Sequence, residues 1–242
     1  MVETADHLAG GTGSPAGAGT MLVWDLPVRT AHWVLAACVA GSWATHYAGV
    51  QWFDWHRRIG YATLVIVAFR FVWGFVGTRH ARFASFVRGP RAVLDYLRGR
   101  ARAIAVGHNP LGALSVLALL ALLFIQAATG LFANDEIASA GPFYGWTTHE
   151  QSNRLATLHR LNSKWLLAFV ILHLLAVAWY ARLRRRPLVR AMLTGRVDAR
   201  VAPPGAAIHG SGTLRAILIV AVLALVLALA IRAAPDVAVA LF

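Results

Sequence analysis

The stretch Leu158-His159-Arg160-Leu161-Asn162-Ser163-Lys164-Trp165-Leu166-Leu167-Ala168-Phe169-Val170-Ile171-Leu172-His173-Leu174 decides how this chain is read. Its two histidines are fourteen residues apart, close to four helical turns, so they share one helix face. The rise between them is roughly 21 Å, about two thirds of the ~30 Å hydrocarbon core of a bilayer. Ionisable residues at membrane depth are costly and mark functional sites by default. A helix that offers imidazoles at two depths can hold one side of two stacked haems, because haem iron takes histidine as an axial ligand.

Composition supports a membrane setting. The chain has 242 residues, of which 58% are hydrophobic and 14% charged, above the ~45–50% apolar share of soluble domains. Several apolar runs reach the ~20 residues a spanning helix needs. The expected fold is an all-α membrane protein: a four-helix transmembrane haem-binding bundle plus a fifth C-terminal transmembrane helix. Spans are expected at about 29–48, 55–77, 110–132, 148–185 and 213–232.

The net charge of +13 does not indicate nucleic-acid binding. Arginines cluster at 79–102 and 182–200, beside predicted spans, as the positive-inside rule expects of cytoplasmic loops. That rule predicts a multi-pass membrane protein with a cytoplasmic N-terminus. Residues 1–21 lack both a basic n-region and an apolar h-region and are expected to be a disordered tail. Residues 22–195 form the expected haem-binding domain, 196–212 a linker, and 213–242 an accessory helix and tail. The segment 91–97 is expected to form an amphipathic surface helix.

Antiparallel threading assigns depths to the histidines. His32 and His173 fall near the inner face, His56 and His159 near the outer face. His46, fourteen residues after His32, competes with His56 as the partner of His159, and spacing alone leaves both open. Arg70 follows His56 by fourteen residues at the inner depth, where a haem propionate would neutralise it. Pairing with a helix C-terminal carbonyl is the competing role. Gly60 and Gly74 are candidates for close porphyrin approach, or for simple helix packing. Arg57 and Arg58 suit outer propionates or headgroups. His80, His108 and His149 sit at loop edges, and Lys164 lies off the histidine face. The single cysteine, Cys38, and the lack of a C-x-x-C-H motif exclude covalent haem attachment, so any haem is b-type.

Val23-Trp24-Asp25-Leu26-Pro27-Val28-Arg29 with His32-Trp33 resembles the opening of bacterial cytochrome b561 proteins and nickel–iron hydrogenase b-type cytochrome subunits. Trp55-His56-Arg57-Arg58-Ile59-Gly60-Tyr61 resembles their second helix. Gly107-His108-Asn109-Pro110 and Thr129-Gly130-Leu131-Phe132 resemble the third, and Leu158-His159 with His173 the fourth. The resemblance implies two b haems ligated from helices one, two and four, which favours His56 over His46. It also implies electron transfer between quinone or quinol and a redox partner such as a hydrogenase, a reductase or a c-type cytochrome, in contact with membrane lipid.

Two other classes remain on the residues alone. A histidine-based metal or proton transporter would usually add Asp or Glu within its spans, and these spans hold almost none. A cofactor-free membrane anchor would tolerate loss of His173. Neither G-x-G-x-x-G nor a P-loop occurs, so a self-contained nucleotide-driven enzyme is not expected.

Overall fold

Asp25 starts the first helix. Its carboxylate accepts from the Val28 N–H at 2.7 Å, and Pro27 occupies the first turn, where a missing N–H costs nothing. The computed structural model describes residues 19–100, 109–136, 139–185, 187–199, 206–208 and 210–235. Residues 1–18 of the expected tail at 1–21 and part of the basic loop, 101–108, lie outside the described residues, while Thr20 and Met21, expected in that tail, are strand.

Helix α1 spans Leu26–Tyr47 and α2 Phe53–Val76. Two short helices follow, α3 at Phe83–Phe86 and α4 at Pro90–Leu97, the latter on the segment expected to be amphipathic. Helix α5, Pro110–Gly130, opens with the Asn109 side chain accepting from Gly112 N–H at 2.6 Å. Helix α6 runs from His149 to Arg182 behind a Thr148/Gln151 capping box. Its 34 residues make it about 51 Å long, well beyond the hydrocarbon thickness. Helices α7, Leu188–Thr194, and α8, Thr213–Ala233, complete the set.

Among the described residues, α2, α5, α6 and α8 are long and apolar enough to cross a membrane. Helix α1 has a spanning length of 22 residues but falls outside that set, because Arg29, His32 and His46 lower its hydropathy. The sequence expectation of five spans therefore stands at four by composition, with α1 the same length and packed along α2.

Helix α1 packs on α2, α2 on α5, and α5 on α6, while α8 lies on α2. Neither α1 nor α2 shares an extended seam with α6. An apolar layer of Leu35, Val67, Leu120, Leu123 and Leu166 fills the middle of the bundle.

The arginine-rich end is stitched together by backbone. Strand β1, Thr20–Leu22, pairs antiparallel with β2, Arg196–Asp198, so residues 196–198 are strand and the linker proper begins later. Val23 and Trp24 N–H both donate to Gly195 O. Gly195 has φ +76°, and a Cβ there would meet Trp24 O at 2.6 Å, so only glycine fits this turn. His80 donates from Nε2 to Ala206 O at 2.7 Å, and Ile208 N–H to Leu22 O at 3.0 Å. The chain after α6 is thereby tied back to the start of α1.

Candidate functional site

The four expected histidines form two facing pairs. The rings of His32 on α1 and His173 on α6 have centroids 6.4 Å apart at the arginine-rich end. The rings of His56 on α2 and His159 on α6 are also 6.4 Å apart, at the far end. With metal–imidazole bonds of about 2 Å and ring nitrogens about 1.2 Å from the centroid, two imidazoles sharing one metal on a straight axis have centroids about 6 Å apart. No hydrogen bond links the two rings within either pair. The apolar layer of Leu35, Val67 and Leu166 separates the two pairs.

His46 is exposed and stands 6.2 Å from His56, edge-on to Tyr47. It flanks the far-end pair, whereas the ring that faces His159 is that of His56. His80 serves the loop clasp described above. His149 lies 3.4 Å from Glu136 on the surface. Lys164 is exposed, as its position off the histidine face predicts. His7, His108 and His209 lie outside the described residues.

The far-end rings are held by main-chain carbonyls that the sequence alone did not single out. His56 Nδ1 donates to Ser42 O at 2.9 Å, and His159 Nδ1 donates to Gln126 O at 2.9 Å. Each bond fixes the tautomer that leaves Nε2 with a lone pair. Gln126 also contacts His159 Nε2 through its side-chain amide at 2.9 Å. Its Oε1 accepts from Asn162 Nδ2 at 2.7 Å, and Asn162 is 4% exposed. A metal bonded to Nε2 requires that amide to swing aside. Both residues left a sequence signal: Gln126 is a polar residue in an apolar span, and Asn162 follows His159 by one turn. Gly130 is also required, since a Cβ there would come within 3.0 Å of His159 Cε1.

The arginine-rich end differs. His32 Nδ1 is buried with no partner among the described residues. Arg70 is 7% exposed, and its Nη1 is likewise buried and unpartnered. The guanidinium sits 5.7 Å from the Phe83 ring. The nearby carboxylate of Asp25, 1% exposed, is fully engaged by Val28 N–H, Trp73 Nε1 at 3.0 Å and Thr78 Oγ1 at 2.5 Å. An unpaired buried cation costs several kcal/mol, so Arg70 calls for an anion.

The chain matches the prokaryotic cytochrome b561 family over residues 23–195. It belongs to that family. Curated relatives agree. It is 24% identical over 213 residues to a "Probable Ni/Fe-hydrogenase B-type cytochrome subunit" of Bradyrhizobium diazoefficiens, covering 74% of this chain and 86% of the relative. It is 26% identical over 208 residues to a protein of the same name from Azotobacter chroococcum mcd 1, covering 72% and 86%. With the equivalent protein of Rhodobacter capsulatus the identity is 26% over 213 residues, covering 73% and 80%. This cytochrome b561 is thus a multi-pass, all-helical membrane protein of electron transfer, and its family implies haem b.

The residues present in this cytochrome suit that group. The ring separations match bis-imidazole ligation, Arg70 offers an unpaired cation, and a Cβ on Gly60 would meet nothing within 4 Å. That open space lies one turn from His56, on its face. Gly74 corrects the sequence reading: a Cβ there would strike the Phe83 ring, so this glycine accommodates an aromatic side chain and not a porphyrin. Of the two arginines after His56, Arg57 bonds Asp54 at 2.8 Å and Arg58 lies over Trp55 at 5.5 Å.

Proposed function

We propose that this protein carries electrons across a bacterial inner membrane through two b haems, one held by His32 and His173, the other by His56 and His159. The observation that carries the reading is the equal 6.4 Å spacing of both ring pairs at opposite ends of one bundle. Haem iron supplies one-electron chemistry when bound, and the chain supplies ligands, orientation and a dry surrounding. The carbonyls of Ser42 and Gln126 aim the far-end imidazoles, Arg70 receives a propionate at the other end, and Gly60 gives the ring room.

The unit 22–195 is the haem-binding domain, and α8 is accessory to it. The arginine-rich end faces the cytoplasm with the N-terminus, as the distribution of Arg79 to Arg100 and Arg182 to Arg196 supports. The names of the relatives support a hydrogenase as the redox partner. Quinone or quinol is the lipid-soluble partner that fits a relay ending within the bilayer.

A reduced-minus-oxidised spectrum with pyridine haemochrome quantitation on the purified protein tests the proposal. A b-type signal at about two haems per chain is expected. Protein that carries no haem after expression in a haem-replete host overturns it.

A further inference from the structure

We propose that this chain binds an anionic phospholipid of the leaflet at its arginine-rich end, in a groove between the start of α1 and α7, with the phosphate held by Arg29. The groove has a volume of about 390 Å³. Helix α1 lines it with Leu26, Arg29, Trp33 and Ala37, whose spacing puts them on one face, and α7 adds Met192 and Leu193. Arg29 and the exposed Thr30 stand near the start of α1, while Trp33 and Ala37 follow about 6 and 12 Å further along the helix. Polar groups at the helix end and apolar ones toward the middle of the bundle match the order of a phospholipid's headgroup and acyl chains.

The Arg29 guanidinium is partly buried and makes no ion pair or hydrogen bond among the described residues, and its Nε is buried without a partner. Asp25, one turn earlier, is taken by Val28 N–H, Trp73 Nε1 and Thr78 Oγ1. The Gly195 turn packs against the guanidinium, since a Cβ there would come within 2.5 Å of Nη1. The cation is thus held at the groove without an anion, which is costly for a desolvated charge. A planar guanidinium fits a phosphate, whereas a neutral head such as a quinone carbonyl leaves the charge uncompensated. Helix α7 adds a second observation. It buries Ala191 in the core and leaves Leu188, Val189 and Leu193 exposed around Arg190. Apolar side chains shown beside arginines suit the interfacial plane of a membrane, where basic pockets between helices take anionic headgroups. None of the four paired histidines lines this groove, so lipid binding is separable from haem ligation.

Native mass spectrometry of the full-length, haem-loaded protein in mild detergent tests this, with dioleoyl phosphatidylglycerol and dioleoyl phosphatidylcholine supplied in equal amounts. Retention of phosphatidylglycerol in about fivefold excess is expected, the factor that one arginine contributes at an anionic surface. Arg29→Gln is expected to bring the two lipids level. Ala37→Phe, which keeps the charge and fills the groove, is expected to lower phosphatidylglycerol retention by a similar factor. Arg190→Gln, which removes an exposed charge outside the groove, is expected to change little. Equal retention of both lipids by the wild type, wild-type retention by Ala37→Phe, or an equal loss in Arg190→Gln overturns the proposal. Displacement of the bound phosphatidylglycerol by inorganic phosphate, marking a small-anion site, or by a short-chain quinone, marking a quinone site, overturns it as well. Haem stoichiometry is read on the same samples: an Arg29→Gln protein that loses a haem together with the lipid makes Arg29 a haem-binding residue and overturns the lipid assignment.

Discussion

The ring of His32 lies 6.4 Å from that of His173, although the helices carrying them, α1 and α6, share no packing seam. Two imidazoles that face each other across a gap, without a hydrogen bond between them, gain little from one another. The bundle closes around α2 and α5, and α6 comes opposite α1 and α2 at the facing histidines and at the apolar layer of Leu35, Val67 and Leu166 between them. A group placed between them would supply the contacts that the helices do not.

The far-end ligand is separable from its neighbour. His56→Ala is expected to lose about half of the bound haem, and His46→Ala to keep nearly all of it, by pyridine haemochrome assay, since the ring facing His159 is that of His56. Equal losses in both variants would contradict the pairing.

Gly60→Ala separates porphyrin approach from helix packing. A methyl group there meets no protein atom within 4 Å, and replacing a mid-helix glycine by alanine gains up to about 1 kcal/mol of helix propensity. The haem-free protein is therefore expected to melt at the same temperature or higher, while haem retention falls. Unchanged retention would remove Gly60 from the site.

Asp25 joins fold and site. Asp25→Ala removes a helix cap worth about 1 kcal/mol and strands the Trp73 indole N–H, at about 1–3 kcal/mol for a buried donor. It also leaves the Arg70 guanidinium without its nearest buried carboxylate. A loss of about 3 kcal/mol or more is expected in a detergent unfolding titration. A loss below 1 kcal/mol would show that the network around Asp25 carries little stability.

Tyr96 reports on how α4 docks. Burial first, then the hydrogen bond to Tyr180 at 2.6 Å, pushes its phenol up to about 12 from the usual ~10. An acid whose folded pKa is raised is favoured in its protonated form. Its contribution is therefore complete below pH ~10 and is lost as pH rises through about 12. Alkaline titration of phenolate absorbance is expected to show one late tyrosine that Tyr96→Phe removes. A titration in which wild type and variant match at high pH would refute the docked geometry.

By itself the sequence determined the helices, because apolar runs bounded by Asp25, Asn109-Pro110, Thr148 and Pro187 specify where spanning helices start and stop whatever their neighbours. The fourteen-residue spacing of His159 and His173 likewise follows from helical geometry alone. Tertiary structure decided which histidine faces which, because His46 and His56 lie on different helices at similar depth and only the packing of α1 on α2 turns one of them toward α6. It also decided the supporting groups: Ser42 O and Gln126 O are main-chain atoms with no residue signature, and they reach the imidazoles from 14 and 33 residues away. Gly74 shows the same limit. Its face was legible from periodicity, but the ring that fills the space belongs to Phe83, placed there by a turn after α2 that no helical repeat encodes.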